Sequence, residues 1–288
     1  MAQQASTRPV FPPEIAPYID VGAYLLDSRA PAATFYLDKL LAGKELIILT
    51  RSDQADPKTT SKWKRLFKDG GFPCVAVDAL KGEGLSFVLD YLARLLHKKI
   101  RLAERRGIQS ATLRVAALGV PNVGKSTFLN QLIGRSRFKT GNRPGITRGQ
   151  QWVRLFDDVE VLDTPGILRD PTGLKRRRPY WMLLNLMPYD HRLREETVEL
   201  LIDKLGERGL SRLAKYYKQP GIKGADQDWL AVLELVGASR GFRTSNDDGV
   251  DRAARTVFKD FQEGRFGRIS LEEPGSAQIT SPFFPRQE

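Results

Sequence analysis

A glycine-rich segment that ends in lysine and serine carries the clearest chemistry in this sequence. Gly119-Val-Pro-Asn-Val-Gly-Lys125-Ser126 fits the spacing GxxxxGK[ST]. In such a loop the glycines let successive backbone N–H groups face a phosphate at the positive end of a helix, the lysine reaches the β- and γ-phosphates, and the serine hydroxyl binds Mg²⁺. The spacing predicts a phosphate-binding loop whose contacts are Asn122, Val123, Gly124, Lys125, Ser126 and Thr127.

Two further segments follow at the spacing of a nucleotide-sensing switch. Asp163-Thr-Pro-Gly166 resembles the DxxG motif, in which the aspartate holds Mg²⁺ through a water molecule and the glycine N–H meets the γ-phosphate. Pro144-Gly-Ile-Thr147 resembles the segment whose threonine closes over the metal, and Thr147 lies 22 residues after Lys125 and 16 before Asp163. The predicted catalytic residues are Lys125, Thr147 and Gly166, and the predicted metal ligands are Ser126, Thr147 and Asp163.

The segment that would select the base lies upstream of these motifs. A guanine-reading [NT]KxD motif is absent from residues 167–288, but Thr50-Arg-Ser-Asp53 ends an apolar run in a similar form. An aspartate there can accept hydrogen bonds from both guanine N1–H and N2–H, which adenine lacks. Val77-Asp-Ala-Leu-Lys-Gly-Glu-Gly84 resembles the SAxxG loop, whose backbone N–H faces guanine O6. The predicted base contacts are Thr50, Arg51, Ser52, Asp53, Asp78 and Ala79.

The Thr50–Asp53 segment also has a plainer interpretation, as a polar strand end before the turn at Asp56-Pro57. The loop downstream of it and the missing second copy favour guanine recognition. The motif order is then base motif, base loop, phosphate loop, switch and DxxG, which is typical of a circularly permuted GTPase. In that order the chain leaves the nucleotide site immediately after the second switch, so the part beyond residue 178 would respond to the γ-phosphate.

Alternating apolar runs and amphipathic stretches must position these motifs. Hydrophobic periodicity predicts strands at Ile19–Leu26, Leu46–Thr50, Cys74–Val77 and Leu113–Leu118, helices at Pro31–Leu41, Lys58–Lys68 and Leu85–Arg105, and a hairpin of Val153–Phe156 with Val159–Leu162. This alternation is typical of an α/β fold with a mostly parallel sheet. From about Tyr180 the pattern is helical. We therefore predict a P-loop GTPase domain at 1–178, followed by a smaller, mainly helical domain at 179–288 that binds RNA or the ribosome.

The charge balance favours a polyanionic partner. The 288-residue chain has 46 Lys and Arg against 34 Asp and Glu, a formal charge of +12, and residues 94–178 alone carry 19 basic and 6 acidic residues. Such an excess beside a phosphate motif indicates nucleic acid. One cysteine and two histidines exclude a disulfide framework and a Cys/His zinc cluster. No apolar run approaches about 18 residues and no secretory signal opens the chain, so we expect a cytoplasmic protein without a membrane span.

The motif order resembles that of the YlqF/RbgA-type ribosome-assembly GTPases, and the resemblance extends beyond the motifs. Asp27-Ser-Arg-Ala-Pro31 is similar to their DARxP segment, and the stretch from Arg240 to Arg268 is similar to the end of their helical domain, over about residues 18–273 in all. The resemblance implies a GTPase that binds GTP, GDP and Mg²⁺ and acts late in assembly of the large ribosomal subunit by binding ribosomal RNA. We expect it to be a monomer. A second permuted family, which acts on the small subunit, carries an N-terminal β-barrel and a zinc site. Only about 18 residues precede the first predicted strand here, and one cysteine cannot build that zinc site, so we expect the first family.

Several residues depart from the pattern of that family. Thr50 and Arg51 replace the commoner Asn and Lys, which weakens the contact to guanine N7, and Ala79 stands in the serine position of the base loop. The histidine of the family's N-terminal segment has no counterpart, because no histidine precedes His97. Ile167 follows the DxxG motif where many GTPases place a water-orienting glutamine. We therefore expect slow hydrolysis by the chain alone and stimulation by ribosomal particles.

Catalysis would then rely on electrostatics. Asn122 resembles the residue that coordinates K⁺ in cation-activated GTPases, where a neutral amide oxygen near the phosphates holds the ion in place of an arginine finger. Asn122 could equally cap the loop. Two other functions stay open: a nucleotide-gated RNA-binding module whose hydrolysis is incidental, and an ATP-using P-loop enzyme, which Asp53 and the DxxG motif disfavour.

The predicted RNA contacts follow the local charge, since residues 179–288 hold 16 basic and 17 acidic residues and have almost no net attraction for phosphate. The candidates form three clusters, namely Arg94, Lys98, Lys99, Arg101, Arg105 and Arg106 on one helix end, Arg135, Arg137, Lys139, Arg143 and Arg148 in the switch loop, and Lys175–Arg178 after the second switch. A plainer interpretation is that these side chains are solvated surface charges.

Overall fold

The computed structural model describes residues 11–35, 41, 43–135, 151–156, 158–164, 175–222 and 228–275. Six strands form one sheet: β1 (Val21–Asp27), β2 (Glu45–Thr50), β3 (Cys74–Ala76), β4 (Leu113–Gly119), β5 (Gln151–Phe156) and β6 (Val159–Asp163). Every residue of β1 and β2 is buried, as expected of a parallel sheet covered on both faces. The predicted strands are confirmed, with each boundary within two residues of its predicted position.

The topology gathers the ends of the motif-bearing strands at one edge. The strand order is β3-β2-β1-β4-β6-β5, and all neighbours are parallel except β5 and β6, which form the predicted antiparallel hairpin. Asp27 at the end of β1 lies beside Thr50 of β2, and Leu25 lies beside Gly119 at the end of β4. The direction of winding changes between β1 and β4, and open α/β sheets bind ligands at such a switch point.

Eight α-helices occur within the described residues: α1 (Pro31–Thr34), α2 (Pro57–Asp69), α3 (Leu85–Glu104), α4 (Lys125–Arg135), α5 (Arg178–Leu183), α6 (Arg194–Tyr217), α7 (Trp229–Ser239) and α8 (Asp247–Gln262). Side-chain caps fix several of their starts. Asp56 accepts the N–H of Thr59 at the start of α2, and Asn246 accepts the N–H of Gly249 at the start of α8. The helical pattern beyond Tyr180 is confirmed.

Helix α1 is much shorter than the sequence predicts. Periodicity predicts a helix over Pro31–Leu41, whereas the helix ends at Thr34 and Phe35 is extended. The Phe35 ring packs edge to face, with its centroid 6.3 Å from that of Tyr24 and 5.9 Å from that of Phe67. Burying this ring requires the chain to leave the helical path, and the partners come from other elements. Residues 36–40 lie outside the described part of the chain.

Helices cover both faces of the sheet. On one face Trp63 and Phe67 of α2 pack against Tyr24 and its neighbours. On the other face α3 and α4 pack against the alternate strand side chains, including Leu25 and Ile48, and helices α5–α8 extend the same hydrophobic cluster. One continuous core therefore joins the sheet to the helical region. No helix in the described ranges combines the length and apolar composition needed to cross a membrane.

Candidate functional site

The phosphate loop runs from the end of β4 to the start of α4. Gly124 has a φ of 100° and Asn122 a φ of 57°, so the backbone passes twice through the left-handed region to turn from strand to helix. Val123 between them is fully buried and anchors the loop. The Gly124 carbonyl accepts the N–H of Phe128, so α4 begins directly at the loop. The first turn of a helix leaves N–H groups without intrahelical partners, which favours a phosphate here.

The structure brings the lysine of this loop to the aspartate of the DxxG motif. Lys125 Nζ lies 3.3 Å from Asp163 Oδ1. Burial lowers the pKa of Lys125, and the charge of Asp163 opposes this shift. The Thr164 hydroxyl donates to the Ala117 carbonyl at 2.6 Å, which fixes the end of β6 beside β4. A cation and a carboxylate therefore face each other where the phosphates of a nucleotide would lie.

The oxygen atoms around Lys125 suit Mg²⁺ bound to a nucleotide. Ser126 is exposed at the start of α4, and the Asp163 side chain is partly exposed beside Lys125. Hydroxyl and carboxylate oxygens are the hard ligands that Mg²⁺ prefers. Thr127 follows as an exposed residue of the same helical turn. The other two predicted residues, Thr147 and Gly166, lie outside the described residues.

The base motif is tied directly to the phosphate loop. The Thr50 hydroxyl lies 2.7 Å from the Val123 carbonyl and 3.0 Å from the Leu26 carbonyl, so it bridges β2 to the loop. Arg51 has a left-handed φ of 54°, and its Nη2 donates to the Asn122 carbonyl at 2.9 Å. The two departures from the Asn-Lys pair thus have partners of their own, and both join the predicted base motif to the phosphate loop.

Asp53 lies at the same edge of the sheet, and its carboxylate can accept hydrogen bonds. Ser52 N–H donates to the Val77 carbonyl at 3.2 Å, which joins the base motif to the start of the base loop. The Asp53 side chain is half-buried, and no donor among the described residues bonds to its carboxylate. Asp53 can therefore supply two acceptor oxygens to a base.

The base loop is shaped by Asp78. The Asp78 side chain is buried and accepts the N–H of Lys81 at 3.1 Å, while the Asp78 carbonyl accepts the N–H of Gly82 at 2.7 Å. In this arrangement the carboxylate stabilises the loop itself. Ala79 is half-buried at the turn that Asp78 creates, and its backbone N–H has no acceptor within the described ranges.

A buried ion pair beside the base motif has no role in the sequence-based prediction. Arg29 Nε and Nη2 donate to the two Asp27 carboxylate oxygens at 2.9 and 2.8 Å, and both side chains are fully buried. Burial alone would raise the pKa of Asp27, but the charge of Arg29 holds it below its usual value. Arg29 also lies 5.4 Å from the centroid of the Phe261 ring of α8. The DARxP resemblance is the sequence signal that marks this pair.

The segment after α8 returns to the sheet, and no sequence motif indicates its contacts. The Glu272 carboxylate accepts the N–H of Ala32 at 2.7 Å and of Ala33 at 3.1 Å, and Trp63 Nε1 donates to the Glu272 carbonyl at 3.2 Å. Burial raises the pKa of Glu272 to about 7, although the hydrogen bonds from Ala33 and Ala32 oppose the shift. The end of the helical region is thus built into the nucleotide-binding part.

Asn122 links the phosphate loop to the helical region. Its Nδ2 donates to the Asn185 carbonyl at 2.8 Å, just after α5. Its own carbonyl accepts from Arg51. The side-chain Oδ1 has no donor in the part of the chain that the structure describes. Asn122 therefore has a structural contact, and one oxygen remains available to a cation.

The basic clusters differ in how far their charges are engaged. On α3 and just after its end, the exposed members are Arg94, Lys98, Arg101, Arg105 and Arg106. Lys99 is instead paired with Asp20 at 2.6 Å. After the second switch, Arg177 donates to the Phe35 carbonyl and Arg178 pairs with Asp190 at 3.1 Å. Outside the described residues lie Arg137, Lys139, Arg143 and Arg148, together with the side chains of Arg135 and Lys175.

Comparison with known proteins agrees with this geometry. The profile of a family described as 50S ribosome-binding GTPase matches residues 114–217. Ribosome biogenesis GTPase A of Bacillus licheniformis is 30% identical over 268 residues, which cover 89% of this chain and 91% of that protein. The protein of the same name from Thermotoga maritima is 31% identical over 253 residues, covering 86% and 84%.

A solved structure shares the fold over nearly the whole length. The crystal structure of GNP-bound YlqF from T. maritima has a TM-score of 0.63 and is 25% identical, and the match covers 91% of this chain and 96% of that one. The sheet and the helical region therefore recur together in that structure. This chain belongs to the YlqF/RbgA-type family of ribosome biogenesis GTPase A proteins.

Proposed function

We propose that this chain, a GTPase that assists ribosome assembly, links guanine nucleotide binding at the sheet edge to contact with ribosomal RNA. One observation carries the proposal: the carboxyl ends of β1, β2, β4 and β6 gather Thr50–Asp53, the phosphate loop and Asp163 although these segments are distant in the sequence. Base, phosphate and metal groups that meet at one edge can select and hold a nucleoside triphosphate.

The proposed nucleotide contacts divide between two ends. At the base end Asp53 accepts guanine N1–H and N2–H, the Ala79 N–H donates to O6, and Thr50, Arg51, Ser52 and Asp78 hold these groups in place. At the phosphate end the contacts are Asn122, Val123, Gly124, Lys125, Ser126 and Thr127. The hydrogen bonds of Thr50 and Arg51 to the phosphate loop keep the two ends in register.

Hydrolysis breaks the bond between the γ-phosphorus and the β,γ-bridging oxygen as water attacks, and gives GDP and phosphate. Lys125 compensates the charge on the β- and γ-phosphates, and the Gly166 N–H would donate to the γ-phosphate. When bound, Mg²⁺ neutralises further phosphate charge, and Ser126, Asp163 and Thr147 would hold it. Because no glutamine follows the DxxG motif, the chain alone turns over slowly and ribosomal particles stimulate it.

The second part of the proposal is that Asn122 Oδ1 coordinates a monovalent cation beside the phosphates. The bond from its Nδ2 to Asn185 fixes the amide, so Oδ1 is held at a constant position. A K⁺ ion there would take the place of an arginine finger. Equal turnover in K⁺ and Na⁺, with and without ribosomal particles, would remove this part of the proposal.

The proposed partner is ribosomal RNA in the precursor of the large subunit, and the proposed contact surface is α3. One face of this helix and of its C-cap residue carries side chains at intervals of three and four residues, namely Phe87, Tyr91, Arg94, Lys98, Arg101 and the C-cap Arg105. The Phe87 and Tyr91 rings stack with centroids 6.3 Å apart at the start of that face. Exposed cations next to stacked aromatic rings suit a phosphate backbone with unpaired bases.

The proposed unit is a monomer that divides near residue 178. Residues 1–178 would bind the nucleotide, and residues 179–288 would form the helical domain that packs on one face of the sheet. The continuous hydrophobic core supports a helical domain that moves with the nucleotide site. Sedimentation of the free protein with GDP and with a GTP analogue would test both the mass and the change of shape.

The nucleotide part is tested by exchanging one residue. Asp53→Asn should weaken GTP binding and favour xanthosine triphosphate, because an amide reverses the hydrogen-bonding pattern that the base meets. Competition of GTP and ATP for the wild-type protein is the control for base preference. Unchanged GTP affinity in the variant would mean that Asp53 only caps a turn.

The RNA part is tested by co-sedimentation with ribosomal subunits in GTP, GDP and a non-hydrolysable analogue. Each lost phosphate contact should flatten the log–log salt dependence by about one unit. Replacement of Lys98, Arg101 and Arg105 by Ala should therefore weaken binding and flatten the slope. The matched control replaces Lys58, Arg65 and Lys68 of α2, which packs on the opposite face of the sheet. If both variants lose the same amount of binding to ribosomal subunits, the loss follows from net charge and not from a contact surface on α3.

A further inference from the structure

Two glycines turn the chain back after α8. Gly264 has a φ of 72° and Gly267 a φ of 91°, and both values lie in the left-handed region that favours glycine. A Cβ on Gly267 would lie 2.6 Å from Arg212 Nη1, so the turn is also closely packed. Beyond it the segment Arg268–Glu273 leaves the helical region and runs over the base motif.

The Arg268 side chain binds backbone carbonyls of the loop that contains Asp53. Its Nη2 donates to the Ser52 carbonyl at 2.8 Å and its Nε donates to the Ala55 carbonyl at 2.9 Å. Next to it, the Ile269 N–H donates to the Gln54 carbonyl at 2.9 Å. These three bonds fall on the residues that flank Asp53 on both sides.

The rest of the structure holds this loop less firmly. Two backbone bonds restrain it from within the sheet region, from Ser52 N–H to the Val77 carbonyl at 3.2 Å and from Gln54 N–H to the Arg51 carbonyl at 3.0 Å. The bonds from Arg268 are charge-assisted, and such bonds contribute more than neutral ones. Asp53 itself has no hydrogen bond to any described residue that would fix its carboxylate. The direction of Asp53 therefore depends on the carbonyls that Arg268 holds.

We propose that Arg268 is a positioning residue for base selection, which acts by holding Ser52 and Ala55 so that Asp53 faces guanine. This inference rests on the proposed role of Asp53. Arg268 touches no nucleotide group; it orders the loop before the base arrives. A released loop leaves the phosphate loop intact, so a triphosphate still binds there, but without preference for its base. Docking of the segment and affinity for guanine are then linked in both directions.

The test compares GTP and ATP binding in Arg268→Ala. Loss of a charge-assisted pair of hydrogen bonds should lower GTP affinity roughly tenfold. ATP affinity, which depends on the phosphate loop, should stay the same, so the GTP/ATP ratio falls by the same factor. Arg268→Lys keeps one donor and should restore part of the ratio.

The matched control is Lys62→Ala. Lys62 pairs with Glu273 at 2.7 Å, so it attaches the same segment to α2 away from the base loop, and its loss should leave the GTP/ATP ratio unchanged. An Arg268→Ala protein that loses GTP and ATP binding equally, or keeps its ratio, would overturn the inference. Asp53→Asn separates the two proposals. If Asp53→Asn changes base preference while Arg268→Ala does not, the positioning role of Arg268 is wrong and the proposed base-reading role of Asp53 is retained.

Discussion

The two ends of the nucleotide site are built in different ways. The backbone path of the phosphate end is local, since Gly119 to Ser126 joins a strand to the next helix within eight residues and turns through the left-handed region around a buried valine. Thr50 and Arg51 add side-chain bonds to two of its carbonyls. The base end is assembled from a distance. Arg268 donates to the Ser52 carbonyl from 216 residues away, and Glu272 accepts the Ala33 N–H from 239 residues away.

This difference indicates which end can be regulated. The phosphate loop takes its shape from its own backbone turns, although the Asn122 side chain also bonds to the Asn185 carbonyl in the helical region. A loop fixed by a returning segment keeps its shape only while that segment is docked, and partial release of a segment costs less than unfolding the core. Changes in the helical region should therefore reach the base before they reach the phosphates.

The largest effect is expected at the junction of the base end with the helical region. Arg29→Ala removes both side-chain hydrogen bonds to the buried Asp27 carboxylate, which keeps only the more distant Arg51 Nε at 3.8 Å as a cation among the described residues, and removes the contact with Phe261. Loss of one partner from a buried pair should lower the free energy of unfolding by about 3–5 kcal/mol, measured by urea denaturation.

Arg265→Ala is the control for that variant. Its pair with Glu263 is exposed, so the change should cost less than about 1 kcal/mol. Equal, small losses for both variants would show that the Asp27–Arg29 pair does not hold the base end together.

The next effect concerns pH and the segment that returns to the sheet. The pKa of Glu272 is about 7 in the folded protein against an ordinary 4.5, so the folded state binds its proton more tightly. Stability from this group is full below about pH 4.5, falls as pH rises towards 7 and is then constant, for a total of about 3 kcal/mol. Glu272→Gln should flatten this part of the profile, measured as urea midpoints at pH 5, 6 and 7. If Glu272→Gln shows the same pH dependence of stability as the wild type, Glu272 is not the group responsible.

A smaller effect sharpens the comparison from the phosphate end. Lys125→Ala removes the cation that meets the phosphates and should weaken GTP and ATP alike by about 2–3 kcal/mol, roughly 30- to 150-fold. The free energy of unfolding of the variant should change little. Burial disfavours the charged form of Lys125, which lowers its pKa, and Asp163 is partly exposed, so its charge stays solvated when the lysine is removed. Calorimetric titration and urea denaturation measure the two quantities. A loss confined to GTP would place Lys125 at the base end.

The smallest effect is expected where the two ends meet. Thr50→Val keeps the side-chain shape but removes the hydroxyl that bonds to the Val123 carbonyl, and should lower GTP affinity by about 1 kcal/mol, or about fivefold. Thr60→Val is the control, since its hydroxyl bonds to the Asp56 carbonyl within α2. It should cost similar stability without changing GTP affinity. If Thr60→Val lowers GTP affinity as much as Thr50→Val does, the bond from Thr50 to the phosphate loop makes no specific contribution to GTP binding.

Short-range patterns predict most of the sheet and the phosphate end. Strand boundaries, the hairpin and the helices beyond Tyr180 follow from periodicity, because alternation and three-to-four spacing are properties of neighbouring residues. The same patterns overestimate α1, since Phe35 is held by rings from two other elements. They also treat Lys99 as a free cation, although Asp20 pairs with it from 79 residues away.

The sequence by itself determines the order of the motifs, and hence a permuted GTPase in which Asp53, the aspartate predicted to read guanine, precedes the phosphate loop. Only the tertiary structure decides what holds that aspartate in place. Arg268 and Glu272 bond to residues more than 200 positions earlier in the chain, and the buried Asp27–Arg29 pair contacts Phe261 of α8. A single side chain in a sequence leaves no periodic trace of such a partner. The sheet brings the strand ends together and the continuous core brings the last segment back onto them, and these two long-range events create the base end of the site.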